Sequence, residues 1–171
     1  FDNQTMLIQT KAGQNEISIT AYGEVETIDR LGIMDQKNEL IPQGYFSKIT
    51  PRTHAGRGIR SIAKKIDGTV NLLAGLHSLS NMILEAVPYC LAKTTAKTTA
   101  EEAFNAGVGV CQDHAQIFIA AARQLGIPAR YVSGYLLRND IVSQEASHAW
   151  AEAYVDGLGW VGFDISNGVS P

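Results

Sequence analysis

Hydrophobic residues recur every three or four positions through the middle of the chain, and this spacing predicts helices. One helix begins near His54 and ends at 67–68, and a second runs from about 70 to 87. A strongly apolar helix covers 111–125, before a glycine and a proline that end it. Between the last two, Thr98 precedes Glu101 by three positions, which is the spacing of a capping box at a helix start.

Residues near both ends of the chain favour β-structure instead. In the first part, 5–9 and 17–22 are β-prone with a turn at 12–15 between them, and 24–27 continues an alternating pattern. Residues 31–53 lack clear periodicity and predict an extended connector.

In the last part of the chain, 129–137, 148–155 and 160–164 predict three strands. A hairpin turn at 156–159 joins the last two. Helices followed by an antiparallel meander favour an α+β fold, with helices packed on an antiparallel sheet, over a doubly wound parallel sheet. Arg130 and Tyr131 open the first of these strands, and we expect them to serve packing or substrate shaping.

Composition narrows the class of protein. With 171 residues, 45% of them hydrophobic, and a net charge of −3, the chain predicts one soluble globular domain. Its basic residues are scattered and no apolar run could span a membrane, so we expect neither nucleic-acid nor membrane partners. Two cysteines predict a reduced, cytoplasmic protein, although the sequence leaves open a disulfide between them. Because the first residue is Phe1, we expect a fragment of a longer protein, with any export signal out of view.

The strongest candidate for chemistry is Cys111. It follows Gly107 and Gly109 and opens the predicted apolar helix. Free N–H groups and the helix dipole at a helix N-terminus favour an anion such as a thiolate. Glycines also let a substrate backbone approach closely. A small buried thiol without chemistry is the plain alternative, and it is our interpretation of Cys90, which lacks this setting.

His148 and Asp164 are the candidates for activating that thiol. His148 begins a predicted strand, where a neutral imidazole could accept the thiol proton and later protonate an amine leaving group. Asp164 ends the partner strand, so the hairpin should bring the carboxylate to the second ring nitrogen. The plain alternatives are a core histidine with one hydrogen bond and an aspartate that caps a strand end.

Other polar residues rank lower. His114 lies one helical turn after the thiol and would have to fold back along its own helix to act as a base. Asp113 is expected to point elsewhere, and Gln112 to face solvent. His54 and His77 lie on predicted helices with no motif around them.

Together these motifs resemble the transglutaminase-like superfamily, whose core is related to the papain-type cysteine protease fold. The matching segments are 109–115, 121–135, 147–152 and 159–164. The resemblance implies Cys111 as the nucleophile at a helix N-terminus, His148 as base and acid, and Asp164 as the group that orients it, with no metal and no cofactor. It also implies that 1–50 is the end of a β-rich N-terminal region with its connector and that 51–171 is the catalytic core.

The chain departs from the family pattern directly after Asp164, where Ile165 and Ser166 replace the usual Pro-Thr. We therefore expect the local turn to differ from the family pattern, while the carboxylate is retained.

The reaction that the resemblance implies is attack of the Cys111 thiolate on a peptide or amide carbonyl, giving a thioester. The backbone N–H of Cys111 would hold the oxyanion, with a second donor that is either Gln112 or a residue upstream. Because water is the abundant acceptor, we expect hydrolysis of a peptide or protein substrate. Two alternatives remain: an amine-accepting transglutaminase that cross-links proteins, and an inert binding or scaffold domain on the same fold.

Overall fold

A computed structural model describes residues 5–10, 13, 16–20, 22–34, 41–67, 70–136 and 147–171 of the chain. The helices and strands within these ranges are β1 (Ile33–Met34), α1 (Arg57–Ala63), α2 (Leu72–Ala86), α3 (Ala100–Ala106), α4 (Cys111–Gln124), β2 (Ala129–Gly134), β3 (His148–Val155) and β4 (Gly159–Phe163). Short 3-10 helices at Gln43–Ser47 and Pro51–Thr53 precede α1. The predicted order of helices followed by strands is confirmed.

The strands form one antiparallel sheet in the order β1-β4-β3-β2. The predicted turn between β3 and β4 is present: the N–H of Leu158 donates to the Val155 carbonyl at 3.0 Å, and Gly157 has a φ of +81°. That φ lies in the left-handed region, where glycine is unstrained. The α+β prediction, with helices packed on an antiparallel sheet, is therefore confirmed.

Helix α4 is the centre of the core, as its apolar composition predicts. It packs against β3 and against the three other helices, and its buried residues include all of 117–122. Small side chains at Ala151 and Ala153 let the helix lie close to the sheet, while Phe118 stacks on Phe163 with ring centroids 4.8 Å apart. Burying one such aromatic side chain contributes about 1.5–3 kcal/mol. The body of α4, which begins at Cys111, is thereby packed against the sheet.

The capping box of α3 lies one residue later than predicted. Thr99 accepts from the N–H of Glu102, whose carboxylate accepts from the Thr99 N–H at 2.8 Å. Thr98 instead accepts from Thr95 N. Glu101 is used elsewhere, because its carboxylate accepts N–H groups from the first turn of α1, including that of Gly58 at 2.8 Å. The expected spacing was correct, but tertiary contacts select which pair forms the box.

The strands predicted at 5–9, 17–22 and 24–27 are wrong for the described part of the chain, which has no strand before β1. Leu7 is 100% exposed and Ile19 is 74% exposed. A strand needs a neighbour for its backbone N–H and C=O groups, and no described segment pairs with these residues.

The remaining differences are at element boundaries. The connector predicted over 31–53 contains β1 and the two 3-10 helices, and β4 begins and ends one residue earlier than predicted. Asp164 therefore lies just past β4, in an isolated bridge with Val169. The predicted turn at 12–15 and the ends of elements placed at 68 and 137 lie partly or wholly outside the described residues.

Candidate active site

The segment that leads into Cys111 is fixed by backbone pairing. Gly109 forms a parallel bridge with Tyr89, and the N–H of Cys90 donates to the Gly109 carbonyl at 2.8 Å. A side chain at Gly109 would place its Cβ 2.9 Å from the Cβ of Asp113. The glycine is thus required by packing within the protein, and close approach of a substrate backbone stays a prediction.

Two polar side chains fix the first turn of α4. Asp113 is 1% exposed, and its carboxylate accepts from the Val110 N–H at 2.9 Å and from the Thr94 hydroxyl at 2.6 Å. As expected, it therefore does not point toward a thiol. The Gln112 side chain is partly exposed, in line with the expectation that it faces solvent, and its amide donates to the Thr95 carbonyl at 3.3 Å. Both contacts tie the residues just before α3 to the start of α4.

His114 joins α4 to the residues that follow Asp164. Its ring is fully buried, with Nε2 2.7 Å from the Val87 carbonyl and Nδ1 2.8 Å from the Ser166 hydroxyl. Because a carbonyl only accepts, Nε2 carries the proton and Nδ1 accepts from the serine. Burial lowers the pKa of His114 below its ordinary value of 6.5. Both ring nitrogens are occupied, which agrees with ranking this histidine below His148 as a base.

His148 and Asp164 are brought together as predicted. His148 is the first residue of β3, and its Nε2 lies 2.7 Å from Asp164 Oδ2. The His148 side chain is 14% exposed and that of Asp164 only 1%, so the pair is largely shielded from water. With Nε2 directed at the carboxylate, Nδ1 is the ring nitrogen that remains for a reacting group.

Asn167 is a residue that the sequence analysis missed. Its side-chain amide donates to Asp164 Oδ2 at 2.6 Å, and its backbone N–H donates to Oδ1 at 3.3 Å. The same amide nitrogen lies 3.3 Å from His148 Nε2. Since that Nε2 donates its proton to Asp164, the imidazole and the amide share one carboxylate oxygen. The signal was present: an aspartate followed three residues later by Asn-Gly favours a side-chain-stabilised turn.

The surroundings of Cys111 include two tyrosines. Partial burial, and secondarily the negative charge of a Cys111 thiolate, raise the pKa of Tyr89. Burial also raises the pKa of Tyr131, with further contributions from Cys111 and Asp113 and an opposing one from Arg52. Both phenols are therefore close enough to Cys111 for its charge to affect their pKa values. The pairing of the thiol itself with His148 stays a prediction.

Cys90 and Arg130 make contacts within the protein that need no catalytic role. Cys90 is a free, half-buried thiol whose Sγ lies 3.7 Å from the Leu91 carbonyl. Arg130 forms an ion pair with Glu152 at 2.6 Å and lies 4.2 Å from the ring centroid of Trp160. These contacts agree with a packing role for Arg130.

Within the ranges that the structure describes, no three His, Cys, Asp or Glu side chains are grouped to hold a metal ion. No helix in these ranges is long and apolar enough to cross a membrane.

Similar proteins match much of the chain. The uncharacterized protein ML0607 of Mycobacterium leprae is 24% identical over 168 residues, which cover 95% of this chain and 56% of that protein. The uncharacterized protein Rv2569c of Mycobacterium tuberculosis is 34% identical over 106 residues, or 56% of this chain and 34% of that protein. The chain thus spans about half or less of the length of these relatives.

Solved structures share the fold. A candidate cysteine protease from Cytophaga hutchinsonii superposes with a TM-score of 0.64 at 28% identity, covering 81% of this chain and 47% of that one. The periplasmic domain of TgpA from Pseudomonas aeruginosa, bound to ethylmercury, gives a TM-score of 0.58 at 24% identity. The match covers 75% of this chain and 50% of that one. A sequence profile matches residues 60–165, which include α4, β3, β4 and Asp164. On that match, the chain belongs to the transglutaminase-like superfamily.

Proposed function

We propose that this domain is a cysteine-dependent hydrolase of peptide or amide bonds, with Cys111, His148 and Asp164 as its catalytic triad. The observation that carries the proposal is the shielded hydrogen bond between His148 Nε2 and Asp164 at the end of the β3–β4 hairpin. A histidine oriented in this way presents Nδ1 as a base. The fold likeness to a candidate cysteine protease at 28% identity supports the same chemistry.

In the proposed reaction, His148 Nδ1 takes the proton from the Cys111 thiol. The thiolate sulfur attacks the carbonyl carbon, and the carbonyl electron pair moves to the oxygen. When the tetrahedral intermediate collapses, the C–N bond breaks and the imidazolium returns its proton to the leaving amine. The product on the protein is a Cys111 thioester. Water, deprotonated by His148, then attacks the thioester, releasing a carboxylic acid and restoring the thiol.

The oxyanion needs hydrogen-bond donors aimed at the carbonyl oxygen. The backbone N–H of Cys111 is one candidate, because the first N–H groups of a helix have no partner within it. The Gln112 amide is already bonded to Thr95, so it would have to leave that carbonyl to serve as the second donor. A donor upstream of Cys111 requires no such rearrangement.

Hydrolysis is the outcome we propose, because water is the abundant acceptor of the acyl group. Transfer to an amine would require a passage that admits a lysine side chain and excludes water. No feature of the described residues favours that alternative. The product separates the two reactions directly, since hydrolysis releases a carboxylic acid and transfer forms a new amide.

An activated ester tests the proposal without knowledge of the substrate. p-Nitrophenyl acetate should give a rapid burst of one equivalent of p-nitrophenolate, with the acetyl group mapped by mass spectrometry to Cys111. Cys111→Ser and His148→Ala should remove the burst, while the matched thiol variant Cys90→Ser should retain it. Acetylation of Cys90 instead, or the same slow reaction in all four proteins, would favour the inert-scaffold alternative.

A further inference from the structure

A cavity of about 560 Å³ lies beside the face of α4 that carries Gln116 and Arg123. The residues around it come from the 3-10 helix at Pro51–Thr53, from the loop before α3 and from β2. This volume is sufficient for a substrate side chain with its flanking backbone. No part of the proposed triad lines it, so the triad chemistry does not account for this cavity.

The charged residues that line the cavity are all basic. Arg52, Lys97 and Arg123 contribute cations, and no carboxylate belongs to the lining. Among the described residues, Arg123 bonds neutral oxygens, those of the Lys48 and Ala129 carbonyls and the Thr53 hydroxyl, and these do not neutralise its charge. Within the described part of the chain, none of the three cations forms a salt bridge. A local positive potential in a chain of net charge −3 favours an anionic ligand.

Two polar side chains in the same lining can add hydrogen bonds to an anion. The Thr99 hydroxyl is not one of them, because it donates to the carboxylate of Glu102, which lies outside the lining. Gln116 and Tyr131 also line the cavity. An amide and a phenol can each donate to a carboxylate oxygen.

The cavity is next to the thiol. The loop before α3, which carries Lys97, is bonded to the first turn of α4 through Gln112 and Asp113. Tyr131 also lines the cavity, and charges at Cys111 and Arg52 both affect its pKa. We therefore expect a substrate whose carbonyl reaches the thiol to have neighbouring groups near this cavity.

We infer that this cavity is a specificity pocket for a carboxylate of the substrate, so that the preferred substrates are acidic peptides or amides. The inference rests on the proposed function, because the ligand is a substrate only if the domain is a hydrolase. Binding of the carboxylate can nevertheless be measured in a protein that does not turn substrate over. Two sources supply the same chemistry: the side chain of a glutamate or aspartate, and a free C-terminal carboxylate.

Calorimetric titration of the Cys111→Ala protein tests the inference directly. The probes are acetyl-Ala-Glu-Ala-amide, its neutral counterpart acetyl-Ala-Gln-Ala-amide, and acetyl-Ala-Gln-Ala with a free carboxylate. We expect at least one carboxylate-bearing peptide to bind about 10-fold more tightly than the neutral amide at low salt, with the difference shrinking as salt screens the cations. Which of the two gains affinity identifies the source.

Charge reversal locates the binding. Lys97→Glu in the Cys111→Ala background should abolish the preference, whereas Lys65→Glu, the same change at an exposed lysine outside the cavity, should retain it. Equal affinity for the charged and neutral peptides, no binding of any of them, or a preference unaffected by Lys97→Glu would overturn the inference. Failure of the hydrolase proposal has a separate signature, the absence of acyl transfer to Cys111.

Discussion

The two sides of the candidate site are held in different ways. On the nucleophile side, the first turn of α4 is anchored by the buried polar residues Asp113 and His114, which are 1% and 0% exposed. On the base side, His148 depends on Asp164, and Asp164 in turn depends on the exposed Asn167. The residues that hold the candidate nucleophile are thus part of the folding core, whereas the candidate base is oriented by a short surface turn. Substitutions of Asp113 or His114 should therefore affect mainly stability, and those of Asn167 should affect mainly rate.

The largest effect should come from removing either reacting group. Cys111→Ser and His148→Ala should each lower the rate of acyl transfer about 10,000-fold, because the thiolate and its base act as one unit. The double variant should then be no slower than the worse single variant. Stopped-flow measurement of p-nitrophenolate release from the four proteins of this cycle checks both statements.

If the losses of rate in the two single variants add up in the double variant, the thiol and the imidazole act independently. The two sides of the site would then not form one catalytic unit. The unfolding free energy of each variant, measured in urea, is the control. We expect it to change by less than about 1 kcal/mol for Cys111→Ser, since the thiol is at the helix start and not in the core.

A smaller loss of rate is expected from Asp164→Ala, about 100- to 1,000-fold, since the carboxylate orients His148 without attacking anything. Asp164→Asn keeps the size of the side chain but can turn an N–H toward Nε2, which favours the wrong tautomer. It should therefore be no better than alanine. Full activity in Asp164→Asn would show that the negative charge is not required and that an amide oxygen accepts from Nε2 equally well.

On the nucleophile side, His114 should make stability depend on pH. Burial lowers its pKa in the folded protein below the ordinary 6.5, so the unfolded chain binds the proton first. The contribution of neutral His114 to the free energy of unfolding is therefore fully present above pH 6.5. It decreases as the pH falls below 6.5, down to the lowered pKa of the folded protein. The slope approaches about 1.4 kcal/mol per pH unit for one proton.

Urea unfolding across this range, with His114→Gln as the variant, measures the effect. The variant should lose this part of the pH dependence and be about 1–3 kcal/mol less stable at neutral pH, because the Val87 carbonyl and Ser166 lose their partner. His77→Gln, at an exposed histidine of α2, is the matched control and should retain the wild-type profile. An unchanged profile in His114→Gln would assign the pH dependence to other groups.

The sequence predicted the parts of this site that local pattern determines. The 3.6-residue spacing located α4, and the Gly-rich turn located the hairpin whose ends carry His148 and Asp164. The hairpin explains why the two strand ends lie alongside each other, and the family resemblance supplied the pairing of His148 with Asp164. These are contacts within one helix or one hairpin, where few alternatives compete.

What the sequence could not reveal are the contacts that span the chain. Glu101 caps α1 from more than forty positions away, and His114 bonds Ser166 across fifty-two. Neither has a periodic signature, because the partner is chosen by packing. The strand prediction at 5–9 was wrong for the same reason, since alternation indicates a preference for extended structure but does not supply a neighbouring strand.

The smallest and most discriminating effect concerns Asn167, which the sequence analysis did not consider. Its side chain donates to the oxygen of Asp164 that His148 also uses. Asn167→Ala should lower the rate of acyl transfer about 10-fold by loosening the carboxylate, with little change in unfolding free energy because the residue is exposed. Asn167→Ser, which retains a shorter donor, should recover part of the rate. A rate identical to wild type would show that Asp164 orients His148 without help from Asn167.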